Sequence, residues 1–324
     1  MPNAGYDGYL LWAPQTARRV APADAVDPAA IPVLYNAGPA DFPQSEERPQ
    51  PLSVQPVGQG QEAQPVAGRR DSSLRLRLQV ADTAFLAYAI PDLTTAPTPA
   101  DTIRGLPLLT VQTGFAHDAT WEPEQFVDCL VNSLDLEFSE GQAVQATAEL
   151  YAICSVPGVA VAPPAVPDGE VLHWVHTSIA VGDLATDVRA TVSRVRVSIR
   201  NNLIRQGVRP ARYYGNPIMG YTEYAISRAP VAIRPGVHNA DVTIETRGRS
   251  DVSDAVLGGG AIVITCQHPS YALYPTPRRL VVVVNASLMQ SRTVQETPAG
   301  SIVTLSAQML GHGTPTQPTI AIST

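Results

Sequence analysis

The residues able to do chemistry are few and poorly spaced for it. Six histidines occur, and His173-Trp174-Val175-His176 is the nearest approach to a metal pair. Its Val- and Thr-rich surroundings predict a strand, which puts residues three apart on opposite faces, so the two rings do not converge on one ion. Cys129, Cys154 and Cys266 are widely separated and form no Cys-x-x-Cys pair, so neither a zinc site nor a disulfide framework is signalled. They read as small buried thiols. Gly258-Gly259-Gly260 lacks a following Gly-Lys-Ser/Thr and comes after a predicted helix, so it reads as a helix stop and not a phosphate loop. No Gly-x-Ser-x-Gly elbow occurs. Asp251 and Asp254 suit a helix N-terminus better than an acid/base pair. No catalytic, cofactor or metal residue is nominated, and the expectation is a binding or structural protein without enzymatic activity.

The elements around these residues explain the lack of a site. The chain has 324 residues with 30 Pro and 23 Gly, both poor helix formers. Together with abundant Val, Thr and Ala, this predicts a β-rich protein with many turns and extended connectors. Hydrophobic residues make up 44% and charged residues only 16%. The chain can therefore bury a real core, and its weakly charged surface suggests coverage by partners. The net charge is −7, so tight nucleic-acid binding is disfavoured, and the exclusive use of arginine for all 22 basic residues reads as coding bias. MPNAGYDGYLLWAP does not read as a signal peptide, and no run of 18 apolar residues predicts a membrane span.

Five segments are expected. Residues 1–72 form an extended proline-rich arm whose apolar pieces, Tyr9-Leu10-Leu11-Trp12 and Ile31-Pro32-Val33-Leu34, anchor on a neighbour. Residues 73–155 form a first β unit, with strands from Leu74, over Leu106–Phe115, within Phe126–Phe138 and over Gln142–Ile153. A stiff linker follows over 156–170. Residues 171–310 form a second β unit, with strands over Val171–Val181, Val188–Ile199, Val237–Arg247, Ala261–Gln267, Leu280–Val284 and Ser301–Met309. It contains a helix at 250–257 and, over 203–235, a long Tyr/Pro/Arg-rich loop with short strands, and 311–324 is a tail.

Val131–Phe138 and Val192–Ile199 echo one another: each places small polar residues before an alternating strand. The echo suggests two related β units. The polar side of the first strand carries Asp135 and Glu137, and that of the second Arg194, Arg196 and Arg200. These read either as solvated strand faces or as faces that meet partners or line a cavity.

The ordered blocks over about 65–310 resemble the tail tube proteins of long, non-contractile-tailed bacteriophages (siphophages). Gly68–Leu76 is similar to the family's basic turn entering a first strand. Gln125–Leu136 is similar to its aromatic–Gly–Cys–x–Val–x–Ser–x–x–Leu strand, with Asp128 where the family usually has Gly. Val195–Leu203 is similar to a strand ending in Asn-Asn-Leu, and Val237–Ile244 with the helix at Ser250–Leu257 to a strand–loop–helix element. Arg279–Ser287 and Val303–Met309 resemble the closing strands.

The resemblance implies a mainly β fold of tail-tube-like sandwich or barrel units with one short packed α-helix, an extended N-terminal arm and long loops. It implies a virion tail protein, assembled in the host cytoplasm, that polymerises into stacked rings around a DNA channel. Its partners would be itself, the tape-measure protein, and the tail terminator and baseplate proteins. One chain would supply two tube domains, so that three chains close a pseudo-sixfold ring; six single-domain-like subunits are the alternative. Asp135, Glu137 and Glu140 are expected to face the channel. Arg194, Arg196, Arg200, Tyr9 and Trp12 are expected at subunit interfaces. Competing readings are a tail terminator, a baseplate or capsid-decorating protein, and a β-sandwich carbohydrate-binding module.

Overall fold

The computed structural model describes residues 8–15, 34–35, 71–80, 83–90, 106–117, 120–157, 171–184, 187–207, 229–234, 236–247, 251–268, 279–285, 289–298, 300–309 and 320–323. The strands in chain order are β1 (Gly8–Pro14), β2 (Leu34–Tyr35), β3 (Ser72–Gln79), β4 (Leu109–His117), β5 (Thr120–Ser139), β6 (Gln145–Ala152) and β7 (Cys154–Pro157). There follow β8 (Thr177–Val181), β9 (Val192–Arg200), β10 (Ile204–Gln206), β11 (Ala232–Arg234), β12 (His238–Thr246), β13 (Ile262–Gln267), β14 (Arg279–Val284), β15 (Ser291–Thr297), β16 (Gly300–Met309) and β17 (Ile320–Ser323). The one α-helix among the described residues is α1 (Asp251–Leu257), and 3-10 turns occur at Ala84–Ala89, Trp174–His176 and Val188–Ala190.

Period-two alternation builds the larger sheet. Its order is β15-β16-β12-β9-β5-β6-β3-β2, antiparallel throughout. Leu74 and Leu76, Leu134 and Leu136, Val195 and Val197, and Val242 and Ile244 all turn to one face and are buried. A second sheet, β17-β14-β13-β8, contributes Ile179, Ile262, Ile264, Val282 and Ile320 to the same core. Two sheets on one core make a β-sandwich. Helix α1 buries Val252 and Val256 in that core. The glycines after it stop it: Gly259 has φ +89, and a Cβ on Gly260 would meet the Gly182 Cα at 2.8 Å. The Arg292 Nη1 donates to the Leu257 carbonyl at 2.7 Å and so occupies one orphan helix-end acceptor.

Strand β5 is 20 residues long and changes neighbours part-way. Its last third pairs with β6 and β9; its first part pairs with β4 and β7. The exchange falls at residues 128–133. Asp128 there has φ +53, a region that glycine enters at little cost and that Asn and Asp tolerate. Asp128 is held by Gln15: the Nε2 donates to the Asp128 Oδ1 at 2.5 Å, and the Oε1 accepts from the Asp128 N–H at 3.2 Å.

On the other flank, β9 ends in Asn201-Asn202-Leu203. The Asn201 N–H donates to the Asn132 carbonyl at 2.7 Å. The Asn201 Nδ2 donates to the Ala89 and Val131 carbonyls at 2.9 and 2.8 Å, leaving its Oδ1 to accept from His238 Nδ1 at 2.7 Å. An amide oxygen cannot donate, so the proton sits on His238 Nδ1. Asn202 has φ +47, and the neighbouring Gly236 must be glycine, because a Cβ there would meet the Asn202 carbonyl at 2.4 Å.

Several expectations are revised. The Tyr9–Trp12 piece of the arm anchors on its own chain: β1 pairs along its length with β4, and Gln15 locks it to Asp128. Most of its remaining residues, and residues 158–170 of the linker, lie outside the described residues. Within the 311–324 tail, β17 adds to the second sheet. The β units at 73–155 and 171–310 share one sheet through β5 and β9. His173 does not begin a strand; it caps a 3-10 turn that buries Trp174, with the His176 N–H donating to the His173 carbonyl at 2.9 Å.

Asn201→Ala leaves two buried carbonyls and His238 without their partner, so unfolding free energy should fall by at least about 2 kcal/mol in urea titration. Asp128→Gly should be milder than Asp128→Val, because a β-branched residue adds about 1–2 kcal/mol of left-handed strain to the lost Gln15 bonds.

Candidate functional site

The outward face of the larger sheet is polar in continuous cross-strand rows. One row runs Thr293, Thr304, Thr243, Arg196, Glu137, Gln145, Gln79 across seven strands. The next runs Ser291, Ser306, Asp241, Ser198, Asp135, Thr147, Arg77. Alternation requires this face to be polar, since the other face of each strand is spent on the core.

The charged residues form a ladder on it. Ser198 lies directly opposite Asp135, and Arg196 and Arg200 occupy the two diagonals. The Ser198 Oγ donates to the Asp135 Oδ1 at 2.5 Å, and the Arg200 Nη2 donates to both carboxylate oxygens at 2.9 and 3.0 Å. The Arg196 Nη2 approaches the Asp135 Oδ1 at 3.3 Å. Arg194 bridges two strands, reaching Glu137 at 2.9 Å on β5 and Glu245 at 3.3 Å on β12. Glu140, at the β5–β6 turn, pairs with Arg247.

Burial works against the charge on Asp135. The hydrogen bonds from Ser198 and Arg200 and the charges of Arg200 and Arg196 outweigh it and hold the carboxyl below its usual value. Burial likewise opposes charge on Glu137, where the Arg194 and Ser139 hydrogen bonds and the charges of Arg194 and Arg196 win and lower it. The Glu137 hydrogen bond raises Arg194 in turn.

Toward the Asp128 corner the same side turns apolar. Val127 and Leu130 share a small second core with Leu106, Leu108, Leu203 and Ile233. The Arg205 guanidinium stacks on the Tyr151 ring at 3.7 Å and closes its edge.

The expected site residues are thus rearranged. Asp135 and Glu137 do not form an acidic surface apart from a basic one. Arg194, Arg196 and Arg200, expected at subunit interfaces, have carboxylate partners in the same chain, one strand away. Trp12, expected at an interface, is only 5% exposed and packs edge-on against Phe85 and Tyr88 at 5.8 and 5.2 Å. Tyr9 lies in β1 opposite Gly114, and its side chain is outside the described ones. Sequence reading missed Ser198, Glu245, Asp241 and Glu149; their signal was their place at the polar positions of alternating strands. Among the described residues, no group of three or more His, Cys, Asp or Glu is placed to hold a metal ion, and no helix is long and apolar enough to cross a membrane.

A family described as phage tail tube protein matches residues 5–233, more than two thirds of the chain. The chain belongs to the phage tail tube protein family. It is a structural component of a virion tail. The matched region of this tail tube protein runs from the arm into β11, and so takes in the Asp128 corner and the β5·β9 pair. No curated protein matches the chain.

The lowered carboxyls set a pH dependence for the tail tube subunit. A depressed folded pKa contributes stability above the unfolded value, about 3.9 for Asp and 4.3 for Glu, and loses it as pH falls through the folded value. Asp135→Asn with Glu137→Gln should therefore lower stability at pH 7, by no more than about 1 kcal/mol per exposed pair. The difference from the unsubstituted protein should narrow as pH falls through the lowered folded values. Urea midpoints at pH 7 and in a descending acid series check it.

Proposed function

We propose that this tail tube protein polymerises into stacked rings and that the polar face of its larger sheet lines the channel through which double-stranded DNA passes. The proposal extends to a siphophage tail assembled in the host cytoplasm, with a tape-measure protein in the bore and terminator and baseplate proteins at the ends. The observation that carries it is the eight-strand sheet itself, polar on one side and packed on a core on the other.

Strand number favours closure by rotation. Eight strands in antiparallel order leave β15 and β2, the two ends among the described residues, running in opposite directions. Copies related by rotation about a channel axis would then meet edge to edge as antiparallel neighbours. At about 4.8 Å per strand, the sheet is about 38 Å wide. Three sheets would close a ring about 37 Å across before strand tilt widens it, and six would double that. The smaller bore suits a single duplex.

The echoed segments of the two-unit reading, 73–155 and 171–310, are the central antiparallel pair, and Leu136 lies opposite its own echo, Val197. Antiparallel echoes are related by a local two-fold axis normal to the sheet and not by rotation about a channel axis, so the count of three chains rests on the sheet width.

Negative-stain electron microscopy of the concentrated purified protein should show hollow tubes with regular striations and three chains per end-on ring. Dispersed monomers would argue against tube formation, and rings of six chains would argue against two tube units per chain.

A further inference from the structure

The charges on the polar face are sorted by strand. Strand β9 carries Arg194, Arg196 and Arg200; β5 carries Asp135 and Glu137 on one side of it, and β12 carries Asp241 and Glu245 on the other. Farther out, Glu149 on β6 lies opposite Arg75 on β3, with Arg77 two residues on. Among the described residues, five arginines thus face five carboxylates, so these strands carry none of the chain's net charge of −7.

The arginines are not hidden. The Arg196 side chain is 47% exposed, whereas that of its partner Asp135 is 19% exposed. Over Asp135, a phosphate would meet the Arg196 and Arg200 guanidinium groups first, whereas Arg194 and its carboxylate partners are equally open. What it feels is set by the neighbouring columns, one strand spacing of about 5 Å away. That is shorter than the Debye length of about 8 Å at physiological salt, so screening does not separate the columns and their fields cancel.

We infer that this face is a charge-cancelled sliding surface, in which the carboxylates of β5 and β12 mask an arginine column that would otherwise bind the DNA backbone. Neutrality, and not an acidic lining, then keeps the duplex from adhering. Each phosphate that an unmasked arginine neutralised would release counterions and add affinity, which would hold DNA in transit. The inference rests on the proposal that this face lines the channel.

The test uses the full chain, kept unassembled by dilution and checked by sedimentation, with a fluorescent 30-base-pair duplex as the probe in low salt. The unsubstituted protein should not retain the duplex. Asp135→Asn with Glu137→Gln keeps side-chain shape and removes two negative charges. It should bind with a log–log salt slope of about −0.9 for each phosphate engaged. Glu137→Gln with Glu245→Gln, which releases Arg194 from both partners, should do the same and serves if the first pair does not fold. Adding Arg196→Gln and Arg200→Gln to the first pair should abolish the binding. Retention by the unsubstituted protein, or none by either folded double variant, overturns the inference. Tubes in the microscope with no binding by the variants would sink masking alone; binding by the variants without tubes would sink the channel reading alone.

Discussion

The structure depends on one constraint: a single strand must serve two sets of neighbours. Where β5 exchanges β6 and β9 for β4 and β7, the ladder cannot satisfy every backbone group, and a buried unpaired group costs about 1–3 kcal/mol. Side chains complete the pairing there. Gln15 takes the Asp128 side, and Asn132 and Asn201 take the other, with His238 completing Asn201. Because Gln15 follows β1 directly, the same bonds fix where the N-terminal strand lies. Because Asn201 ends β9, they also fix where the central pair of the sheet stops. The second core under Arg205 and Tyr151 fills the space opened by the exchange.

The ladder on the polar face plays a different part. Its pairs are half-exposed, and pairs of that kind contribute little to stability. The core of Leu, Val and Ile side chains holds the sheets together whether or not the ladder forms. What the ladder controls is the field above the sheet. Long arginines on one strand and shorter carboxylates on the next give a surface rich in hydrogen-bonding groups and without net charge.

Much of this was legible in the sequence. Strict alternation at Leu74–Val80, Leu134–Phe138 and Val195–Ile199 placed the main strands, and the acidic first turn and Gly258–Gly260 placed the helix. The Asn-Asn-Leu block and the departure at Asp128 were visible as residues, but their meaning was not. It comes from partners such as Gln15, 113 residues away from Asp128. Strand β15, Ser-Arg-Thr-Val-Gln-Glu-Thr, was missed because a polar edge strand shows no core-facing alternation. Asp135, Glu137, Arg194, Arg196 and Arg200 were found but assigned to two surfaces, and Asp241, Glu245 and Glu149 were missed. Which strands are neighbours is a matter of register and topology, and local pattern does not contain it.

The cross-strand ladder also constrains how the protein can evolve. Asp135 answers to two arginines, and Arg194 to two carboxylates on different strands, so no charge in the centre of this face can drift alone. A lineage that loses one is driven to lose or reverse its opposite number, and substitutions there should be inherited as linked sets spanning β12, β9 and β5. Ser198 and Ser139, which donate to Asp135 and Glu137, share that constraint, whereas hydroxyl positions farther along the rows, such as Thr293 and Thr304, do not. The face would then diverge in sequence while its balance is kept, and that balance is the property by which distant relatives can be compared.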